Sequence, residues 1–147
     1  VEAEARAVLE RLFPDRPGDW YEPMAIGSTP ESRDAGAALI LAGVKTATSA
    51  LPSEFADGRP PFPGALSVVL DGADRPCGVV ETVRAELRPF GSADEAFAAE
   101  YGEGDRTLAW FRREIGDHYR GLAARSGEPF GDDTILLFEW FRLVARP

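Results

Sequence analysis

The sequence predicts an α+β chain, in which helices flank a small, mostly antiparallel sheet or barrel. Three observations carry that reading. Apolar residues recur at helical spacing in four segments. Three shorter segments of strand length are bounded by Gly, Pro and Asp. The segment Thr134 to Val144 is apolar or aromatic on both alternating faces, which suits a central strand covered on both sides. At 147 residues the chain makes one domain, residues 1–147, of which residues 1–25 form an N-terminal helix and linker extension.

In chain order, Glu2 to Phe13 puts Val8, Leu9, Leu12 and Phe13 on one helical face, and Pro14 ends the pattern before Pro17-Gly18. Thr29-Pro30 reads as an N-cap and first-turn pair opening a helix through Ala38, Leu39, Leu41 and Ala42, closed by Gly43. Val44 to Leu51 is the first strand. Pro52 to Pro63 holds four prolines and Gly58 and reads as a long surface loop, of the kind that borders sites. Leu66 to Leu70 and Gly78 to Leu87, with Asp71-Gly72 between them, form an antiparallel pair. Ser92 with Glu95 is a capping box for a short helix ending at Gly102. Asp105 caps the next helix, striped by Leu108, Phe111, Ile115, Tyr119 and Leu122, until Gly127 and Pro129 stop it.

Composition removes several classes of function. The apolar stretches Ala35 to Gly43 and Thr134 to Phe138 fall far short of the roughly 20 residues that span a bilayer, so no membrane partner is expected. One Cys and one His cannot build a zinc site, and no metal or cofactor is expected. Cys77, before Gly78 and a valine run, reads as an inert thiol. With no secretory signal visible, a reducing cytoplasm is the expected setting. The 16 Lys plus Arg against 25 Asp plus Glu give a net charge of −9, which disfavours loose binding of nucleic acid over the whole surface but leaves room for a local basic site.

Of the 16 cationic side chains only Lys45 is lysine. Arginine serves any surface salt bridge, whereas a lysine amine can lose its proton, so a single lysine marks a place where a compact, deprotonatable amine is useful. It lies in Gly43-Val44-Lys45-Thr46-Ala47-Thr48-Ser49. In a regular strand Lys45 and Thr48 would face opposite sides and converge only if the helix exit bends the backbone. Other candidates are Glu100 and Glu103 as acids, Thr46 and Ser49 beside the lysine, and Phe55 and Tyr101 as stacking surfaces for a base. Arg106, read as first-turn helical and so misplaced against the helix dipole, is a candidate phosphate contact. Glu81 reads as an inward carboxylate paired with an arginine, and His118 as a partly buried imidazole on the edge of the helical stripe.

The spacing Gly43-x-Lys45-x-x-Thr48 and the run Glu100-Tyr101-Gly102-Glu103-Gly104-Asp105-Arg106, followed by a helix with Trp110 and His118, resemble the ASCH domain family. Gly64 to Leu70 with Asp71-Gly72, Val80-Glu81-Thr82, and the closing Phe141-Arg142-Leu143-Val144 extend the likeness from about Ile26 to the C-terminus. The resemblance implies a PUA-like β-barrel associated with RNA. It also implies three readings of function: a ribonuclease-like hydrolase centred on Lys45, an amidohydrolase that deacetylates acetylated cytidine with a Lys, a Thr and a Glu, or a binding module without chemistry. By resemblance Lys45 and Thr48 take the first two positions, and Glu100 or Glu103 the third. The partner is then RNA or a modified nucleoside. Smaller members commonly carry an arginine two residues after the threonine; here that residue is Ala50.

Overall fold

The computed structural model describes residues 1–147. Its elements are α1 (Glu2–Leu12), β1 (Trp20–Met24), α2 (Pro30–Leu41), β2 (Ala47–Ala50), β3 (Leu66–Leu70), β4 (Pro76–Pro89), α3 (Glu95–Tyr101), α4 (Leu108–Trp110), α5 (Gly116–Arg125) and β5 (Ile135–Ala145). A π-helical turn, Phe111–Ile115, joins α4 to α5.

The strands form one sheet in the order β1-β3-β4-β5-β2. β5 is its spine. Four consecutive buried residues, Leu136 to Glu139, show that it is covered on both faces, and it pairs antiparallel with β4 from Val79 opposite Ala145 to Pro89 opposite Ile135. β3 adds antiparallel to β4, β2 antiparallel to β5, and β1 parallel to β3. The α+β class is as expected, but the sheet is not closed into a barrel. Pro23 takes a backbone donor out of β1 and β2 has only four residues, so neither edge offers a row of partners for the other. Residues of both edges nevertheless line a common cavity, and the seam that closure would have sealed is an open cleft.

Each layer of helices follows from the apolar faces of these strands. Leu66, Val68, Leu70 and Val79 bury against Ala5 and Leu9 of α1. On the other face of β3, Val69 packs with Met24, Val80 and Phe141 under Ala37 and Ile40 of α2. Phe138 and Leu136 of β5 and Ala47 of β2 pack against Phe97, Tyr101, Phe111 and Tyr119 of the C-terminal helices.

Several local expectations need correction. The residue 1–25 extension holds β1, an integral strand; the proline and the mixed polarity of Trp20–Met24 hide it from periodicity. The first expected strand starts only at Ala47, because the Val44 and Lys45 amides still bond back to the Leu39 carbonyl. In α2 the inward face is Gly36, Ala37 and Ile40, with Ala38 and Ala42 outside, while Thr29 does cap it. Asp94, not Ser92, caps α3, since Phe90–Ser92 is spent on a 3-10 turn. Thr107, not Asp105, caps α4; Asp105 accepts from Thr107 and steadies the cap. Cys77 donates to the Val69 carbonyl, and burial raises its pKa, which suits an inert thiol.

Candidate functional site

Lys45 sits between the end of α2 and the start of β2. Gly43 turns the chain there at φ +74. Beside it, Gly102 at the end of α3 also has positive φ, +75, and an added Cβ would lie 2.5 Å from the Val44 carbonyl oxygen and 2.7 Å from the Lys45 Cα. Only a glycine lets the α3 terminus approach so closely. Two hydrogen bonds to α3 carbonyls lock that approach: the Thr46 amide donates to the Glu100 carbonyl at 2.8 Å, and Lys45 Nζ donates to the Tyr101 carbonyl at 3.1 Å.

The ammonium is 3.5 Å from the centroid of the Tyr101 ring and 2.7 Å from Glu103 Oε2. Lys45 is 1% exposed, whereas the Glu103 side chain keeps 23% of its surface. Burial pulls the Lys45 pKa down to about 8, against the opposing pull of Glu103 and Glu139. Of the two acidic candidates, Glu103 meets the lysine. Glu100 contributes its carbonyl to Thr46, and its side chain lines a separate groove with Thr46, Arg84, Arg88 and Trp140.

The cleft wraps around the free edge of β2. Its inner part, about 220 Å³, lies inside the curl of the sheet between β1 and β2, with Glu22, Phe55, Leu137 and Glu139 among its walls. Its outer part, about 420 Å³, lies between β2 and the helices, with Tyr101, Glu103, Trp110 and His118 among its walls. Thr48 and Ser49 belong to both parts because β2 is an edge: its alternating side chains point to opposite faces, and the cleft reaches each face around the edge. This places Thr48 and Glu103 on one cavity, with Lys45 buried behind Glu103. Ser49 Oγ meets the Tyr101 hydroxyl at 3.2 Å and the Tyr119 hydroxyl at 2.7 Å.

Three other candidates lie elsewhere or differently. Arg106 precedes the helix, at φ +65, and its guanidinium forks onto the Ala99 carbonyl at 2.9 and 3.0 Å. A cation at the C-terminal end of α3 is favourably placed, so the misfit expected from a first-turn position does not exist. His118 is exposed rather than partly buried, with its ring against Tyr119. Glu81 pairs with Arg16 and Arg142, each at 2.8 Å, and these partners hold its pKa below the usual carboxylate range.

Two further carboxyls escaped the sequence reading. Glu139 is 3% exposed, accepts from Thr82 Oγ1 at 2.7 Å, and is pushed up by burial to a pKa of about 7. Glu22 is likewise pushed up to about 7 by burial, with Glu139 and Glu54 adding repulsion. A signal for Glu139 was present, since it is the only charge in Ile135 to Phe141; Glu22 sits in the segment read as linker. No group of acidic, histidine and cysteine side chains has metal-binding geometry.

The Glu139 environment sets a pH dependence. Because its folded pKa lies above the ordinary value, its stabilising contribution is complete below about pH 4.5 and is lost as pH rises through about 7. Glu139→Gln keeps an acceptor for Thr82 without the charge. Its stability should match wild type near pH 5 and exceed it at pH 8 by about 1–3 kcal/mol. Urea unfolding at the two pH values measures this, and a difference that shrinks toward pH 8 contradicts it.

A family model described as the ASCH domain matches residues 22–145. The chain belongs to the ASCH domain family. The ASCH domain from Lactobacillus crispatus JV V101 superposes with a TM-score of 0.80 at 25% identity, covering 94% of this chain and 87% of that one. A protein from Enterococcus faecalis V583 gives a TM-score of 0.79 at 22% identity, over 99% and 95% of the two chains. The hypothetical protein PH0355 is more distant, with a TM-score of 0.52 at 16% identity over 85% and 98%. No curated protein matches the chain. These likenesses carry the same fold. No helix of this ASCH domain is long and apolar enough to cross a membrane.

Proposed function

We propose that this ASCH domain is an amidohydrolase acting on an acylated nucleoside, with Lys45, Glu103 and Thr48 as its reacting groups. The observation that carries the reading is the buried Lys45–Glu103 pair at 2.7 Å, opening through Glu103 onto the cavity that Thr48 lines. Charge supports the small substrate over an RNA strand. Glu22, Glu54, Glu103, Glu114 and Glu139 line the cleft and no Arg or Lys does, which is the wrong sign for a run of phosphates. Phe55 and the Leu137 side chain supply apolar wall for a planar base, and Ala50 leaves room where an arginine would stand.

In this reading the Thr48 hydroxyl, or a water beside it, attacks the acyl carbon and gives its proton to the Lys45–Glu103 pair. The pair returns the proton to the nitrogen as the C–N bond breaks. When Thr48 attacks, water then hydrolyses the threonyl ester; on either route acetate and the free amine are the products. A lysine pKa near 8 suits this task, because proton transfer is most efficient when donor and acceptor titrate near the working pH.

A second reading, RNA recognition without chemistry, has one observation behind it. Arg84 stacks 4.3 Å from the Trp140 ring centroid and lines, with Arg88, a separate groove on the helix-covered face of the sheet. Acetylated cytidine and a short single-stranded RNA, offered side by side, separate the readings. Release of cytidine with intact RNA is expected; strand cleavage with untouched acetylcytidine overturns the proposal in favour of a ribonuclease, and tight RNA binding with neither reaction in favour of a binding module.

A further inference from the structure

The inner cavity rests on a row of polar side chains that crosses the whole sheet. Glu22 of β1 is the register partner of Ser67 in β3, so the two share a face. Thr82 of β4 lies two residues beyond Val80, the partner of Ser67, on that same face, and donates to Glu139 of β5. Thr48 of β2 is the register partner of Glu139. Strands whose inward positions are otherwise Met24, Val69, Val80 and Phe141 thus carry a polar belt that slants across the sheet, stepping two residues at β4 and two more at β5.

That belt is not satisfied by the protein. Ser67 is 1% exposed and its hydroxyl has no hydrogen-bond partner. Glu139, 3% exposed, accepts one hydrogen bond, from Thr82 at Oε2, and lines the cavity. Glu22, which also lines the cavity, makes no hydrogen bond through its carboxyl. Of these only Ser67 Oγ is a buried atom without a partner, which is costly, whereas Glu22 and Glu139 line the cavity with acceptor capacity to spare. A group that enters the cavity to meet them is a donor, because ionised carboxyls only accept. The remaining walls, with Phe55, Pro61 and Leu137, are flat and apolar.

We propose that the inner cavity is a binding subsite for a planar group that presents an N–C–N edge of hydrogen-bond donors, an amidinium or a protonated amino-heterocycle, with Glu139 and Glu22 as its acceptors. This rests on the cleft being the substrate site, as in the reading above, and deepens it by giving the class of group that the inner end of the cleft takes. Phosphate and carboxylate groups are excluded from this end by like charge.

Benzamidine, benzamide and benzoate test the assignment, since they share a shape and differ in donors and charge. Titration calorimetry on the full chain at pH 7.5 should show benzamidine binding at least about tenfold tighter than benzamide, with no heat from benzoate. Glu139→Gln and Glu22→Gln should each weaken benzamidine about tenfold or more while unfolding as cooperatively as wild type. Equal affinity for benzamidine and benzamide, absence of binding by either, or benzamidine affinity untouched in both variants overturns the proposal; the last result identifies nonspecific attraction to an acidic surface. The measurement reads binding alone, so loss of the hydrolase reading leaves it intact. Acetylcytidine hydrolysis without benzamidine binding overturns only the inner subsite.

Discussion

Lys45→Arg is expected to abolish hydrolysis of an acylated nucleoside, by about 10²–10⁴-fold in kcat, while substrate affinity stays within about tenfold, roughly 1.4 kcal/mol. Arginine keeps the charge and can still meet Glu103, but its guanidinium does not give up a proton in proteins. The side chain is buried beneath the Tyr101 ring, so a larger head group strains the packing, and thermal unfolding of the variant is the necessary companion measurement. Glu103→Gln supplies an independent arm, because it removes the carboxylate without a change of volume and from a side chain that reaches the cleft. If the two residues move one proton between them, the double variant is no slower than the worse single one. Full activity in Lys45→Arg, or additive losses in the double variant, excludes proton transfer through the pair.

Gly102→Ala should be the most damaging conservative change outside the reacting groups. Its Cβ would meet backbone atoms of Val44 and Lys45 at 2.5–2.8 Å, and backbone cannot swing aside as a side chain can. To that overpacking is added the penalty for a left-handed residue with a Cβ, for a total of about 2–5 kcal/mol. Gly43→Ala is the matched control: φ is nearly the same, +74, but nothing lies within 4 Å of the added methyl, so only the backbone penalty of about 1–2 kcal/mol applies. Chemical denaturation of both variants measures the difference. Equal losses would mean that the α3 terminus does not need its close approach to Lys45. Activity should fall with stability in Gly102→Ala alone, since this contact holds Tyr101 and Glu103 against the lysine.

The motif Gly43-x-Lys45-x-x-Thr48 and the motif Tyr101-Gly102-Glu103 were separately visible in the chain, and the structure joins them through a contact that no spacing reveals. Gly43 frees the helix exit and Gly102 removes the atom that would keep the second segment away. The choice between Glu100 and Glu103 was open in the sequence because both precede the same helix; the left-handed turn at Gly102 sends Glu103 toward Nζ and leaves Glu100 on the far groove. Arg106 was misread for a related reason. Its positive φ belongs to a turn before the helix, and a turn of that kind has no periodicity to announce it.

By itself, the sequence determined the helices, the β3–β4 hairpin, the buried character of β5 and the singular lysine, because these depend on local periodicity, turn chemistry and composition. Tertiary structure alone decided three things. It made residues Trp20–Met24 a strand, since an edge strand with a proline gains its place from the parallel partner β3 and not from its own pattern. It left the β1–β2 seam open as a cleft. And it gathered Glu22, Ser67, Thr82, Glu139 and Thr48, one residue from each of five strands, into a single polar row, because register between strands is set by pairing across the whole sheet and is not written in any one of them.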